Sequence, residues 1–146
     1  PLESHRGYHV TLENPGTSLN HMCFPVEDKF AITPMSMGVR VAGTVELAGV
    51  DAPPNYARSQ ALLRAATKIL PGVRTEKVTQ WMGHRPCLPD SLPVIDSCPH
   101  HKGIFFAFGH GHQGLLGASQ TAKVVDELIR GVPPSMDLRP FSIERF

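Results

Sequence analysis

Two stretches of the sequence carry the residue types that do chemistry. In the first, Gly109-His110-Gly111-His112-Gln113-Gly114, three glycines and two histidines occupy six positions directly after the apolar run Ile104-Phe105-Phe106-Ala107-Phe108. Glycine lets a ligand approach the backbone closely. A helix starting after this loop turns its unpaired N–H groups, and the positive end of its dipole, toward whatever the loop holds. A planar or anionic ligand suits that arrangement, and a tight strand-to-helix turn that binds nothing is the competing reading. The second stretch is Gly83-His84-Arg85-Pro86, preceded by Trp81 and followed by Leu88-Pro89-Asp90-Ser91-Leu92-Pro93. An arginine held there can present its planar fork to a carboxylate. Spacing alone leaves open the alternative, a surface Arg85 lying on Trp81.

Residues 109–114 spell G-x-G-x-x-G, the dinucleotide fingerprint, and they follow a strand pattern and open a helix pattern. The remainder of that unit is missing. A dinucleotide fold needs a second parallel strand after the helix, ending near an acid that holds the ribose. Here the helix pattern runs into Gly131-Val132-Pro133-Pro134, so the standard reading is rejected. His110-x-His112 and Cys98-x-His100-His101 are the nearest approaches to a metal site, and they lack the paired spacings that specify zinc. No G-x-S-x-G is present, and no cysteine sits in a recognisable reactive context.

The elements that must position these residues are short. Thirteen Gly and fourteen Pro in 146 residues exceed ordinary usage of about 12% and exclude a long-helix or coiled-coil protein. Tyr8, Val10 and Leu12 alternate with polar residues as a strand does, and Asn14-Pro15-Gly16-Thr17 supplies a turn. Lys29 to Thr33 is a short apolar run closed by Pro34, and Met35 to Gly38 reads as a turn. Val39, Val41 and Val45 are expected on one face of the next strand. Gly43 suggests a bulge or the close approach of another backbone. These runs predict an antiparallel meander. Asn55 is a candidate N-cap, and Ala57, Ala61, Leu62, Ala65 and Ile69 form the stripe of an amphipathic helix stopped by Pro71-Gly72. Val73 to Met82 suits a strand, Gly83 to Pro99 a proline-rich excursion, and Ile104 to Phe108 a buried strand. Leu115, Ala118, Ala122, Val125 and Ile129 give a second helical stripe, ended by Gly131. The fold class is α+β: an antiparallel sheet with one packed helix, then a strand–glycine loop–helix segment.

The net charge is +1 and the basic residues are scattered. That excludes the basic stripe of a nucleic-acid binder. No apolar run approaches the roughly eighteen residues a membrane helix needs. Three widely spaced cysteines (Cys23, Cys87 and Cys98) fit a reducing, cytoplasmic setting better than a disulfide framework. The chain opens on Pro1 rather than Met, and Pro1 to Tyr8 reads as mid-protein sequence, so a longer parent protein is expected.

Together the motifs resemble one family. Trp81-Met82-Gly83-His84-Arg85-Pro86-x-x-Pro89-Asp90-x-x-Pro93-Val94-Ile95 is similar to the G-x-R-P-x-x-P-D-x-x-P-x-I signature of flavin-dependent amino-acid oxidoreductases, the D-amino-acid oxidase/glycine oxidase superfamily. Ile104 to Gly111 resembles that family's C-terminal G-H-G segment. Lys29 to Thr33, Val39 to Glu46, Arg6-Gly7-Tyr8 and Arg145-Phe146 fit as well. D-amino-acid dehydrogenases match best and glycine oxidase more distantly. Asp96 departs from the family's usual Gly, and Ala31 stands near a position where glycine oxidase has a substrate-binding Tyr.

The resemblance implies the C-terminal third of an FAD-dependent enzyme, with residues 1–103 belonging to a substrate-binding domain and 104–146 to the FAD-binding domain. It implies that Gly109, His110, Gly111, His112, Gln113, Gly114 and Leu115 lie beside the flavin, and that Arg85 anchors the carboxylate of a small amino-acid substrate. The whole enzyme would oxidise an amino acid, on this resemblance a D-amino acid, to an imino acid by hydride transfer. The chain alone would need the missing N-terminal FAD-binding portion as its partner, and by itself is expected to be inactive. The reading from another class is a stand-alone module binding an anion at the glycine loop.

Overall fold

A computed structural model describes residues Pro1–Phe146. Its elements are β1 (Glu3–Leu12), β2 (Ala31–Met35), β3 (Gly38–Leu47), α1 (Ala57–Ile69), β4 (Val78–Cys87), β5 (Val94–Ser97), β6 (Phe105–Phe108) and α2 (Gly114–Arg130), followed by two 3₁₀ turns, Arg139–Phe141 and Ile143–Arg145. The strands form a four-stranded sheet in the order β2-β3-β1-β4 and a two-stranded sheet of β5 and β6. The chain divides into two compact units, residues 6–84 and residues 1–5 with 85–146.

In residues 6–84, β2 and β3 are an antiparallel hairpin in the register Ala31↔Ala42 to Met35↔Gly38, turning at Ser36-Met37 as the sequence suggests. Val10, Leu12, Phe30, Ile32, Val39 and Val41 meet Leu62, Ala66 and Leu70 in one apolar core. Val45 departs from its expected face and is 41% exposed. The side-chain alternation changes phase after Val41, so that Thr44 and Glu46 reach Arg58 of α1 instead. Gly43 lies at this change, with room for no side chain: a Cβ there would stand 2.5 Å from Phe30 Cα. The close backbone approach expected at Gly43 is present.

The buried stripe of α1 is Ser59, Leu62 and Ala66, not the Ala57/Ala61/Ile69 edge of the predicted one. Arg58 explains the rotation. It donates to Thr44 Oγ1 at 3.0 Å and to the Val45 carbonyl at 3.1 Å, fixing the first turn against β3. Asn55 precedes the helix, and its Oδ1 accepts from Ala57 N–H at 3.3 Å. Two strand boundaries also differ from expectation. β2 continues through Pro34, and β4 begins only at Val78 and runs through Pro86 to Cys87. Both strands are sheet edges, where a missing N–H interrupts no ladder.

The second unit packs α2 against the β5–β6 hairpin, whose register runs from Val94↔Phe108 to Ser97↔Phe105. Cys87, Leu88, Val94, Ile95 and Val124 are buried there. The expected burial of residues 104–108 is not found: β6 is half-buried, and Ile104 is 47% exposed. The predicted stripe of α2 is likewise turned outward, with Leu115 92% and Ile129 60% exposed. Facing inward are the residues one step round the helix, from Gly114 and Gly117 to Thr121 and Val124. Small residues let α2 approach the hairpin, so the larger apolar ones are left outside. Gly131 ends the helix in the left-handed conformation, as expected. Asp96 earns its departure from Gly, since its Oδ2 accepts from Ser142 Oγ at 2.8 Å and from Ile143 N–H at 3.0 Å.

Candidate active site: the glycine loop and Arg85

The glycine loop is stitched to the end of β4. Cys87 and His110 form a lone antiparallel bridge, and Gly111 N–H donates to the Pro86 carbonyl at 3.0 Å. Gly109 and Gly111 both have positive φ (78° and 51°). A Cβ on Gly109 would lie 2.6 Å from Leu88 Cδ1, and one on Gly111 would lie 2.9 Å from Cys87 Sγ. These two glycines are thus required by the seam with residues 86–88, apart from any ligand. The seam brings the loop to the strand end that carries Arg85, so the two stretches singled out in the sequence converge.

Arg85 is half-buried, and its Nη1 is enclosed without a hydrogen-bond acceptor. Its charge reaches the loop. Loss of solvation, then Arg85, then His5 hold the His112 imidazole below its ordinary pKa. Burial pushes the Cys87 thiol up, with Arg85 opposing. The His5 and His112 rings meet edge to face at 6.4 Å. A cavity of about 230 Å³ opens between His5, Cys87, Ser91 and the loop from Gly109 to Gln113. His110 turns the other way: its Nε2 lies 3.0 Å from Thr121 Oγ1 on α2, so its ring fastens the loop to the helix.

Gln113 precedes α2 without capping it, and the first turn holds no acidic residue. The helix therefore offers uncapped N–H groups and its dipole at Gly114 and Leu115, beside the exposed side chains of Leu115 and Leu116. Uncapped donors, an enclosed guanidinium N–H and apolar surface form a donor set that fits a planar, electron-rich cofactor and a carboxylate.

Sequence reasoning missed three participants. Cys87 is the wall behind Gly111, His5 approaches from the N-terminal strand, and Arg145 locks the Pro89-Asp90 turn. Arg145 Nε donates to Asp90 Oδ2 at 2.7 Å and its Nη2 to the Leu92 carbonyl at 2.7 Å. This pairing holds the Asp90 carboxyl below its ordinary pKa. The only advance signal was that Asp90 and Arg145 both belong to the quoted resemblances.

Known proteins are similar to this chain along its whole length. The family model described as FAD dependent oxidoreductase (DAO) matches residues 1–128. The chain is 39% identical over 150 residues to a D-amino-acid oxidase of Bradyrhizobium diazoefficiens, covering 100% of this chain and 36% of that protein. It is 29% identical over 153 residues to a D-amino acid dehydrogenase of Paramagnetospirillum magneticum, covering 100% of this chain and 35% of that protein. Glycine oxidase from Geobacillus kaustophilus superposes with a TM-score of 0.83 at 26% identity, over 99% of this chain and 40% of that one. The chain thus spans little more than a third of the curated relatives it matches. With its family model, its relatives and its α+β fold in agreement, the chain belongs to the FAD dependent oxidoreductase family.

Proposed function

We propose that this chain supplies the substrate-anchoring and flavin-flanking part of an enzyme that oxidises a small amino acid, of the D series, to an imino acid. The observation that carries the reading is the enclosed, acceptor-less Nη1 of Arg85 beside a glycine loop and an uncapped helix start. FAD, when bound, supplies the acceptor for the substrate's hydride. The backbone of Gly109 to Gly114 and the first N–H groups of α2 at Leu115 would help hold the cofactor, and the positive end of the helix dipole would favour negative charge on it. Arg85 pairs with the substrate carboxylate through its fork, which fixes the Cα–H direction. His112, whose pKa is lowered, stays neutral at pH 7 and places no second cation beside Arg85.

The remaining FAD contacts come from the part of the enzyme upstream of these residues. In this reading residues 104–146 complete the FAD-binding domain, and residues 1–103 belong to the substrate-binding domain. The outward apolar stripe of α2 supports this division, since an enzyme of the relatives' length has a segment to cover it. Three free cysteines suit a cytoplasmic enzyme. The long relatives' flavin chemistry is not expected of the 146-residue chain alone, which should bind FAD weakly or not at all.

The test uses the full-length protein with bound flavin. Arg85→Ala should lower kcat/KM by about 100-fold, the scale of a lost charge-assisted pair of about 3 kcal/mol, with flavin content unchanged and Arg85→Lys partly restoring activity. Unchanged turnover and KM in Arg85→Ala would remove the role given to Arg85. Tight one-to-one uptake of FAD by the purified 146-residue chain would overturn the division of labour.

A further inference from the structure

Of the two histidines in the glycine loop, one is engaged and one is free. His110 is held to Thr121 Oγ1 at 3.0 Å, whereas no hydrogen bond engages the ring of His112. His112 is exposed and lines the cavity of about 230 Å³ together with His5, Cys87 and Ser91. The His5 ring meets it edge to face and restrains its plane. All of these residues, and Arg85 with them, belong to one compact unit, residues 1–5 with 85–146.

The seam sets this ring against Arg85. Cys87 bridges His110, and Gly111 N–H donates to the Pro86 carbonyl at 3.0 Å. The same antiparallel register carried one residue further puts Arg85 opposite His112, and directly opposed residues have Cβ atoms about 5 Å apart. In keeping with this, the Arg85 charge acts on the His112 ring. A small molecule whose carboxylate is gripped by Arg85 therefore has its neighbouring atoms beside this imidazole. In an α-amino acid the ammonium sits on the carbon next to the carboxylate. Loss of solvation, Arg85 and His5 keep the imidazole neutral at pH 7, the form with a nitrogen lone pair that can accept a proton. The other titratable groups at this corner are Cys87, whose thiol burial keeps protonated, Glu3, whose charge reaches Cys87, and His110, turned toward α2.

We propose that His112 takes the proton from the substrate's ammonium group, making the neutral amine from which hydride can leave. The inference rests on the amino-acid oxidoreductase reading above, in which Arg85 holds the α-carboxylate. The ammonium gives one proton to the imidazole nitrogen and keeps the electrons of that N–H bond as a lone pair. The Cα–H bond then breaks with both its electrons, leaving as hydride to the flavin, and the nitrogen lone pair closes the C=N bond of the protonated imine. The imidazolium returns its proton to water, which reaches the exposed ring. Pairing with the substrate carboxylate offsets the Arg85 charge that otherwise opposes an imidazolium, so the base strengthens when the substrate is in place.

The test follows anaerobic flavin reduction across pH in the full-length holoenzyme, with the fastest-reacting amino acid. In the wild type kcat/KM should fall as pH drops below the ordinary histidine value, where His112 takes up a proton from solvent. His112→Gln should lack that acid limb. It should lose about 100-fold at about pH 7.5, and roughly threefold or less at about pH 10, where a primary ammonium is losing its own proton. A loss of equal size at every pH, or no loss at about pH 7.5, overturns the assignment of His112 and leaves the amino-acid reading standing. Failure of every amino acid of either hand to reduce the flavin overturns both. A second readout is independent of turnover. Propionate has a carboxylate and no amine, and its binding is read from the shift of the flavin absorption band. His112→Gln should hold it within about threefold of the wild-type Kd, whereas Arg85→Ala should weaken it about tenfold or more. Equal weakening by both substitutions would make His112 part of the carboxylate grip and counts against the proposal.

Discussion

Residues 6–84 bury their large apolar side chains against one another, and their fully buried Arg6 pairs with Glu46 of the same unit. The other unit closes the β5–β6 hairpin with the small-residue face of α2 and leaves Leu115, Leu116 and Ile129 outside. Its helix buries Val124 together with a glutamate, Glu127, whose Oε2 accepts from Ser135 N–H at 2.8 Å. The first unit is built to hold its own shape. The second leaves an apolar face of α2 exposed. Substitutions that separate these two conditions break or sharpen the comparison.

The largest effect is expected at Arg6, which is fully buried. Its Nε pairs with Glu46 at 3.3 Å, and its Nη2 donates to Tyr8 Oη at 3.2 Å and to the Pro53 carbonyl at 2.8 Å. Tyr8 in turn donates to Glu46 and accepts from Asn55 N–H at 2.9 Å. Removing one member of a buried pair strands the other, so Arg6→Ala should cost about 3–5 kcal/mol, read as a fall in the urea midpoint. A loss below 1 kcal/mol would show that the network is not what ties the start of α1 to the sheet.

Next come the glycines of the loop. Gly109→Ala places a Cβ at positive φ and 2.6 Å from Leu88 Cδ1, which should cost about 1–3 kcal/mol. Gly72 also has positive φ but has nothing within 4 Å of its Cβ position, so Gly72→Ala carries backbone strain alone and should cost less. Equal costs at the two sites would mean that the seam with Leu88 is loose.

How legible this was from sequence follows the same division. Period-2 alternation placed Tyr8, Val10 and Leu12 in the core because their neighbours are in the chain. The stripe of α2 was equally clear as a pattern and wrong as a burial forecast, because a stripe names the face that is finally covered, not what covers it. Pro34 read as a strand end and Pro86 as part of a proline-rich excursion, yet an edge strand tolerates both, and edge position is a property of topology that local sequence does not carry. Arg85 and the glycine loop were both visible, but their seam through Cys87 and Pro86 was not, since a lone backbone bridge leaves no side-chain signal.

A smaller effect concerns the C-terminal tail. The Arg139 guanidinium holds the Asp137 carboxyl at about 2, and the Arg145 guanidinium holds Asp90 below its ordinary value. A carboxyl depressed in the folded state contributes stability above its unfolded pKa and loses it as pH falls through the folded one. The Asp137–Arg139 pairing should therefore persist below pH 4 and be lost toward pH 2, and the Asp90–Arg145 pairing should be lost only below the ordinary carboxyl pKa. Carboxyl carbon shifts followed by NMR report this directly, and a midpoint at or above 4 for Asp137, or one not below the ordinary aspartate value for Asp90, would refute the pairing.

The smallest effect is expected on the outward stripe of α2. Ala122 and Ile129 lie on the outward stripe of α2, and Ile129 is 60% exposed. Ala122 also lines a shallow apolar groove with Ala107, Ala118 and Val125. Exposed positions with no packing to lose change stability by no more than about 0.5 kcal/mol, so Ala122→Lys and Ile129→Lys should leave the urea midpoint of the 146-residue chain in place. In a full-length protein the same lysines would be forced into an apolar interface, and burying an unpaired charge is strongly unfavourable. There the expectation is loss of bound flavin and a lower melting temperature. If both proteins shrug off the substitutions, the stripe is an ordinary surface. If both suffer, it is already packed in this chain. Only indifference in the short chain with damage in the long one identifies α2 as half of an interface whose other half lies upstream.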